Sequence, residues 1–351
     1  MSTTHILEAK DLAAFLDALA QRYRVVAPVR EEELIDFRVV ESPDQVLSHR
    51  DYIVPRGSVK RYFFPRSEPL IAFDRTKEGV EVEDPELDLR PTLIYGCRPC
   101  DAASLPIMDA LYDWDYRDSF WFQRREATTV VAVSCVRADQ SCFCTALGGS
   151  PCGTAGSDLL LTPLDEERWL AEVLTPKGQG AVDAAGALFA EGEGDKEQAC
   201  RPALEILPPK LDLDDVARWL AENFEDQRWP LWSYKCWGCG CCTFLCPTCH
   251  CFDIVDEGGY RHGQRRRNWD ACQFAQFTLH ASGHNPRPHQ AARWRQRVEH
   301  KFHYYVEKFG YRSCVGCGRC IRHCPVNMDI HAQLVEMAEL ARGAEPAAAT
   351  D

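Results

Sequence analysis

The chain has 351 residues, 45% of them hydrophobic, and a formal net charge of −13. That length and apolar content suit two packed domains and exclude a disordered or fibrous chain. The nineteen cysteines are an odd number bunched at short spacings, and the opening MSTTHILEAKDLAAFLDALA carries acids where a secretory leader has a basic start, so metal ligation in a reducing compartment is favoured over a secreted disulfide scaffold.

No run of about 18 apolar residues occurs, so no direct membrane span is expected, and a cytoplasmic location is. The charge is unevenly spread: Gly259 to Cys324 holds thirteen Lys or Arg against three acids. Nucleic acid is not the expected partner, because these arginines lie between two cysteine motifs, where they suit anionic clusters or an acidic partner. Arg265, Arg266, Arg267, Arg287, Arg293, Arg295 and Arg297 are the candidates, with a solvated basic face as the plain alternative.

In chain order, Leu12 to Leu19 has helical periodicity, while Pro91 to Tyr95 and Thr128 to Ser134 are short β-branched runs typical of buried strands. An α+β or α/β N-terminal domain over residues 1–209 follows. Ala181 to Glu197, rich in Ala, Gly and acids, reads as a surface helix with a loose end. Pro208-Pro209 marks the boundary, and a helix is expected from about Asp214 to Asn223. Residues 210–340 are expected to form a mainly α-helical domain built on a bacterial ferredoxin-like module with two [4Fe–4S] clusters. Its connector should contain a helix around Gln290 to Phe309, and residues 341–351 form a frayed tail.

Two runs carry the chemistry. Cys236-x2-Cys239-x2-Cys242-x3-Cys246-Pro247 and Cys314-x2-Cys317-x2-Cys320-x3-Cys324-Pro325 each reproduce the ferredoxin pattern, in which three thiolates reach one cluster and the fourth ligates the other. The assignment is therefore crossed: Cys236, Cys239, Cys242 and Cys324 hold one cluster, and Cys314, Cys317, Cys320 and Cys246 hold the second. Paired C-x2-C motifs also serve zinc, which keeps a structural zinc-binding adaptor as a competing class. Cys246-Pro-Thr-Cys249-His250 matches the attachment motif of c-type haem, but Cys246 is already needed by a cluster and no export signal accompanies it.

The remaining cysteines are less regular. Cys241 falls outside the ligand register and reads as a spare buried thiol. Cys249, Cys251 and Cys272 lie near the cluster motifs and could supply part of a further metal or redox site, with packing as the alternative. Cys97, Cys100, Cys135, Cys142 and Cys144 follow expected strand ends, so thiols from separate segments could converge there as a third cluster. Cys152 and Cys200 have no evident partners. With neither G-x-G-x-x-G nor a P-loop, a nucleotide site is assigned to another subunit.

The motifs Gly96-Cys-Arg-Pro-Cys-Asp101, Arg124-Arg-Glu126, Val133-Ser-Cys135, Cys142-Phe-Cys-Thr-Ala-Leu-Gly-Gly149, Cys246-Pro-Thr-Cys-His-Cys-Phe252, Trp269-Asp-Ala-Cys272, Gly283-His-Asn-Pro-Arg-Pro288 and Cys314-Val-Gly-Cys-Gly-Arg-Cys320 resemble the iron–sulfur β (electron-transfer) subunits of cytosolic NiFe sulfhydrogenases, a family related to the A-type subunits of anaerobic sulfite reductase. The resemblance spans roughly residues 90–330. It implies a relay linking an FAD/NAD(P)-binding reductase subunit with a catalytic subunit, either NiFe hydrogenase or one that reduces sulfur compounds or sulfite. It also maps a third [4Fe–4S] cluster onto Cys100, Cys135, Cys142 and Cys144, with Cys97 as the alternative first ligand. The chain is then an oxidoreductase subunit with no catalytic residue of its own. The rivals are a catalytic or relay subunit of a sulfite, polysulfide or heterodisulfide reductase-like complex, and the zinc adaptor.

Overall fold

A computed structural model describes residues 3–343; the tail at 344–351 lies outside the described residues. In chain order the strands are β1 (Thr3–Glu8), β2 (Arg24–Glu31), β3 (Leu34–Val39), β4 (Ser67–Arg75), β5 (Val80–Glu83), β6 (Thr92–Cys97), β7 (Thr128–Val133), β8 (Leu159–Pro163), β9 (Arg168–Val173), β10 (Phe189–Glu191), β11 (Phe252–Gly258) and β12 (His262–Trp269).

Eight of them form one sheet in the order β10-β1-β9-β8-β7-β6-β2-β3. Strands β2, β6, β7 and β8 are parallel, and antiparallel strands flank them on both sides. The β-branched runs expected at 91–95 and 128–134 are the centre of this sheet, and every residue of β6 and β7 is buried. Helices on both faces explain that unbroken apolar pattern. One face packs Phe15, Leu16 and Leu19 of the helix Leu12–Ala20 on Val25, Leu93, Val131 and Leu161. The other packs Leu105 and Met108 of the helix Pro99–Tyr112 on Ile94, Val130 and Leu160.

The surface helix expected over Ala181 to Glu197 is interrupted. The helix Pro176–Ala185 ends at Gly186, residues 189–191 become β10 on the edge of β1, and a second helix, Lys196–Leu204, follows. Gly186, Gly192 and Gly194 break the helical run, since glycine costs about 1 kcal/mol per helical position relative to alanine, and pairing with β1 captures the segment between them.

Beyond residue 210 short helices alternate with irregular loops and one hairpin. The helix Leu213–Glu222 starts where the sequence places it, with the Asp212 carboxylate accepting from the amides of Asp214 and Asp215. Its buried stripe, Leu213, Val216, Trp219 and Leu220, meets Trp229, Trp294, Phe302, Leu334 and Met337 in a separate core. The helix expected around Gln290 to Phe309 runs through Gln290–Glu299, a π turn at His300–Tyr304, and Tyr305–Phe309. The hairpin β11–β12 pairs with β4, so a four-stranded sheet β11-β12-β4-β5 joins residues on both sides of the boundary expected at 210.

Candidate iron–sulfur centres

Both cysteine runs fold into the same loop. Gly238 and Gly240 in the first have φ of +66° and +75°, and Gly316 and Gly318 in the second have +64° and +74°. Left-handed residues at matching positions wind each loop tightly, and glycine reaches that conformation without a steric penalty. The fourth cysteine of each run lies one short helical turn further on, after Cys241–Phe244 and Arg319–Arg322 respectively.

Two cavities gather thiols from both runs. The first is lined by Cys236, Cys239, Cys241 and Cys242 of one run with Cys320 and Cys324 of the other, and the second by Cys314, Cys317 and Cys320 with Cys246. Each cavity thus holds the four thiols that the ferredoxin spacing assigns to one cluster, and the first holds Cys241 and Cys320 besides. Donors already point at the sulfurs: Gln290 Nε2 lies 3.1 Å from Cys236 Sγ, and the Met328 amide 3.2 Å from Cys324 Sγ. Such hydrogen bonds stabilise the more negative, reduced state of an iron–sulfur centre.

Buried cations accompany the thiols. Lys301 Nζ is 3.5 Å from Cys246 Sγ, and Arg297 Nη1 is 3.5 Å from Cys249 Sγ while Nη2 donates to the Cys242 carbonyl. Lys301 and Arg297 are only 3% and 2% exposed. Burial opposes charge on Lys301, but the thiols of Cys246 and Cys249 outweigh it and hold its pKa above the ordinary value. Burial pushes the Cys242 and Cys314 thiols up to about 11. Unligated, these sulfurs would stay protonated; bound to iron, they are thiolates whose charge the two cations face. The donor set thus fits anionic clusters.

The N-terminal thiols gather where the sheet ends. Cys100 opens the helix after β6, Cys135 lies just beyond β7, and the loop that follows brings Cys142 and Cys144 beside Cys135. The carboxyl ends of parallel strands are the usual ligand-binding edge of such sheets. Cys97 is different: it ends β6 fully buried in the apolar cluster under the helix Pro99–Tyr112, and burial pushes its thiol well up. Cys100 has both Cys135 and Cys317 among its neighbours.

This loop is seated directly on the second ferredoxin run. The Phe143 amide donates to the Gly316 carbonyl at 2.9 Å, and a Cβ on Gly316 would stand 2.5 Å from Cys144 Cα. Arg322 Nη2 reaches Cys142 Sγ at 3.5 Å while pairing with Asp139. Arg319 and Asp101, both fully buried, form an ion pair at 2.8 Å between the ferredoxin module and the sheet.

The arginine candidates separate sharply. Arg297 alone among them lies buried against the cysteines. Arg265, Arg266 and Arg295 pair with Asp256, Glu257 and Glu225 at the surface, Arg267 is buried but paired with Glu68 and Asp118, and Arg293 donates to the carbonyls of Arg287 and Pro288. Sequence reasoning missed Lys301, Arg319 and Arg322, the cations that do face thiols; their spacing of zero to four residues from the cysteine runs and from Arg297 was the available signal.

Cys241 donates its thiol to the His323 carbonyl at 3.4 Å. Cys249 touches Cys246, and Cys251 and Cys272 line one cavity. Cys152 and Cys200 are buried in contact with each other. Burial pushes His250 down to about 3, so it is a neutral packed ring beside His300 and Tyr305.

No helix among the described residues is long and apolar enough to cross a membrane. Comparison with known proteins gives two findings. Residues 235–328 match the family model described as a 4Fe-4S dicluster domain. Paired thiols also serve zinc, and this match favours iron. Over 339 residues, 95% of this chain and 98% of the relative, the sequence is 29% identical to Sulfhydrogenase 2 subunit beta of Pyrococcus furiosus. The chain thus carries a 4Fe–4S dicluster domain at its C-terminal end and resembles, along nearly its whole length, the iron–sulfur β subunit of a sulfhydrogenase.

Proposed function

We propose that the chain is the electron-transfer subunit of a multisubunit oxidoreductase, relaying single electrons and thereby linking an FAD/NAD(P)-binding subunit with a catalytic subunit of the NiFe hydrogenase or sulfhydrogenase type. The observation that carries this reading is the pair of adjoining cavities, each lined by thiols from both runs. The clusters would supply one-electron chemistry; the chain's own residues hold them, exclude water and set their charge balance.

Cys236, Cys239, Cys242 and Cys324 hold one [4Fe–4S] cluster, and Cys314, Cys317, Cys320 and Cys246 the second. Cys100, Cys135, Cys142 and Cys144 hold a third, supported by their grouping at the sheet edge and by the burial of Cys97 in the apolar core. The order is linear: Cys100 neighbours Cys317 of the second site, and Cys320 lines both the first and second cavities. Cys239, the exposed thiol of the set, puts the first site at the surface, where an electron leaves or arrives. The sheet over residues 1–209 is a scaffold for the third site, and residues 210–340 form the mainly helical dicluster domain.

Iron and acid-labile sulfide analysis of anaerobically purified protein tests the reading, together with paramagnetic resonance on stepwise reduction. Three interacting [4Fe–4S] signals are expected. Zinc-replete, iron-free protein would overturn it, as would turnover of a sulfur substrate by the isolated chain at rates that match the whole complex.

A further inference from the structure

A cavity of about 280 Å³ opens beside the dicluster module, and Cys249, Cys251, Cys272, Arg287, Arg297 and Lys301 stand in its wall. None of these cysteines belongs to the proline-terminated runs' register of ligands. The hairpin brings two of them together. Phe252 faces Trp269 across β11–β12, and the Asp270 amide donates to the Cys251 carbonyl at 2.9 Å, so the chain at the open end of the hairpin carries both cysteines to one place. There Cys251 and Cys272 stand together in the wall of the same cavity.

That pairing fits a dithiol better than a further cluster. Thiolates on different irons of a cube are held apart by the cube, and among the described residues no third donor completes a single-ion site around the pair. Cys272 is the better-supported thiolate: Gln273 Nε2 lies 3.6 Å and the Thr243 hydroxyl 3.7 Å from its sulfur. Thr243, whose hydroxyl reaches the Cys272 sulfur, directly follows Cys242 of the first cluster site in the chain. At the same wall Arg297, 2% exposed, has a buried Nε with no hydrogen-bond partner. A buried donor left unpaired is destabilising, and an anion in the cavity would relieve it.

We propose that Cys251 and Cys272 are a redox-active dithiol that reduces small anionic disulfides bound in this cavity, with electrons drawn singly from the neighbouring iron–sulfur cluster. The electron supply, though not the disulfide chemistry, rests on the relay reading. The Cys272 thiolate attacks one sulfur of RS–SR, forming a mixed disulfide and releasing RS⁻. Cys251, giving its proton to solvent, then attacks the Cys272 sulfur, closes the Cys251–Cys272 disulfide and releases the second RS⁻. Two electrons from reduced [4Fe–4S] clusters and two protons restore the dithiol, so RSSR + 2e⁻ + 2H⁺ gives 2 RSH.

The experiment uses full-length holoprotein purified without oxygen, with glutathione disulfide as the anionic probe and peptide mass mapping as the readout. Cys251→Ser is expected to accumulate one glutathionyl adduct on Cys272, wild-type protein to form the Cys251–Cys272 disulfide, and Cys272→Ser to do neither. Absence of the adduct in Cys251→Ser protein with full cluster signals overturns the dithiol. In pre-reduced protein the clusters should reoxidise at least about tenfold faster in wild type than in Cys272→Ser; equal rates overturn the electron supply. Arg287→Gln should reduce a preference for glutathione disulfide over neutral 2-hydroxyethyl disulfide, and no preference in wild type overturns the anionic assignment. Protein without cluster signals would sink the relay reading separately, because the mass adduct forms whether or not clusters are present.

Discussion

Lys301 Nζ lies 3.5 Å from Cys246 Sγ, with both side chains closed off from solvent. The π turn at His300–Tyr304 begins one residue before Lys301, which shares with Arg297, four residues earlier, the face that meets the thiols. Inserted turns of this kind recur at functional sites. Lys301 is further held by the Ser313 carbonyl at 2.7 Å and the Thr248 hydroxyl at 3.2 Å, so its charge is fixed in position.

A cation that close stabilises the reduced, more negative cluster. Lys301→Gln should therefore lower the reduction potential of the cluster at Cys246 by roughly 50–100 mV, taking an effective dielectric near 20 and 59 mV per tenfold change. Lys301→Arg should restore most of the shift. Redox titration followed by paramagnetic resonance decides the matter: an unchanged potential in Lys301→Gln protein with both signals intact would show that the charge is screened.

Crossed ligation makes a prediction that uncrossed ligation does not share. Cys324→Ser and Cys236→Ser should perturb the same cluster signal, because both thiols line the first cavity. Cys314→Ser should perturb the other. If Cys324→Ser instead reproduces the spectrum of Cys314→Ser, each run holds its own cluster.

The buried pair Arg319–Asp101 joins the two halves of the chain with both side chains fully excluded from water. Arg319 also donates to the Pro55 carbonyl at 2.9 Å. Asp101→Asn leaves the guanidinium without its counter-charge and should destabilise the fold by about 3–5 kcal/mol, whereas the double replacement Asp101→Leu, Arg319→Met should cost far less. Denaturant unfolding of the anaerobic holoproteins gives both values; equal losses would mean that packing, not charge, holds this contact.

Some of this arrangement is written plainly in the residues. Iron–sulfur ligation fixes cysteine spacing tightly, so the dicluster domain is legible in the runs Cys236 to Cys246 and Cys314 to Cys324. Strands buried on both faces leave β-branched runs, and β6 and β7 lie where those runs are. The hairpin β11–β12 left no such trace: its burial pattern is almost wholly exposed along β11, and its position depends on pairing with β4, nearly two hundred residues earlier. Lys301 was equally hidden, because a lysine's value here comes from burial against Cys246, which only tertiary packing creates. Likewise, spacing alone left Cys97 and Cys100 equivalent; the strand-to-helix junction separates them by turning Cys97 into the core.

The contact between Gly316 and the loop at Cys144 offers a test of how the third site depends on the dicluster module. Gly316 has φ of +64°, and a Cβ there would lie 2.5 Å from Cys144 Cα and from the Phe143 carbonyl oxygen. Backbone cannot yield as a flexible side chain would, so Gly316→Ala combines left-handed strain with displacement of the loop and should cost about 2–4 kcal/mol. Gly148 supplies the control, since its φ of +82° is just as restrictive while nothing stands within 4 Å of the place a methyl group would take. Gly148→Ala should therefore cost only about 1–2 kcal/mol, the strain alone. Beyond stability, Gly316→Ala should weaken or abolish the signal assigned to Cys100, Cys135, Cys142 and Cys144, because Cys144 is the residue displaced. Equal behaviour of the two variants in both unfolding and spectrum would mean that the loop adapts freely, and that the N-terminal thiols keep their geometry without support from the second ferredoxin run.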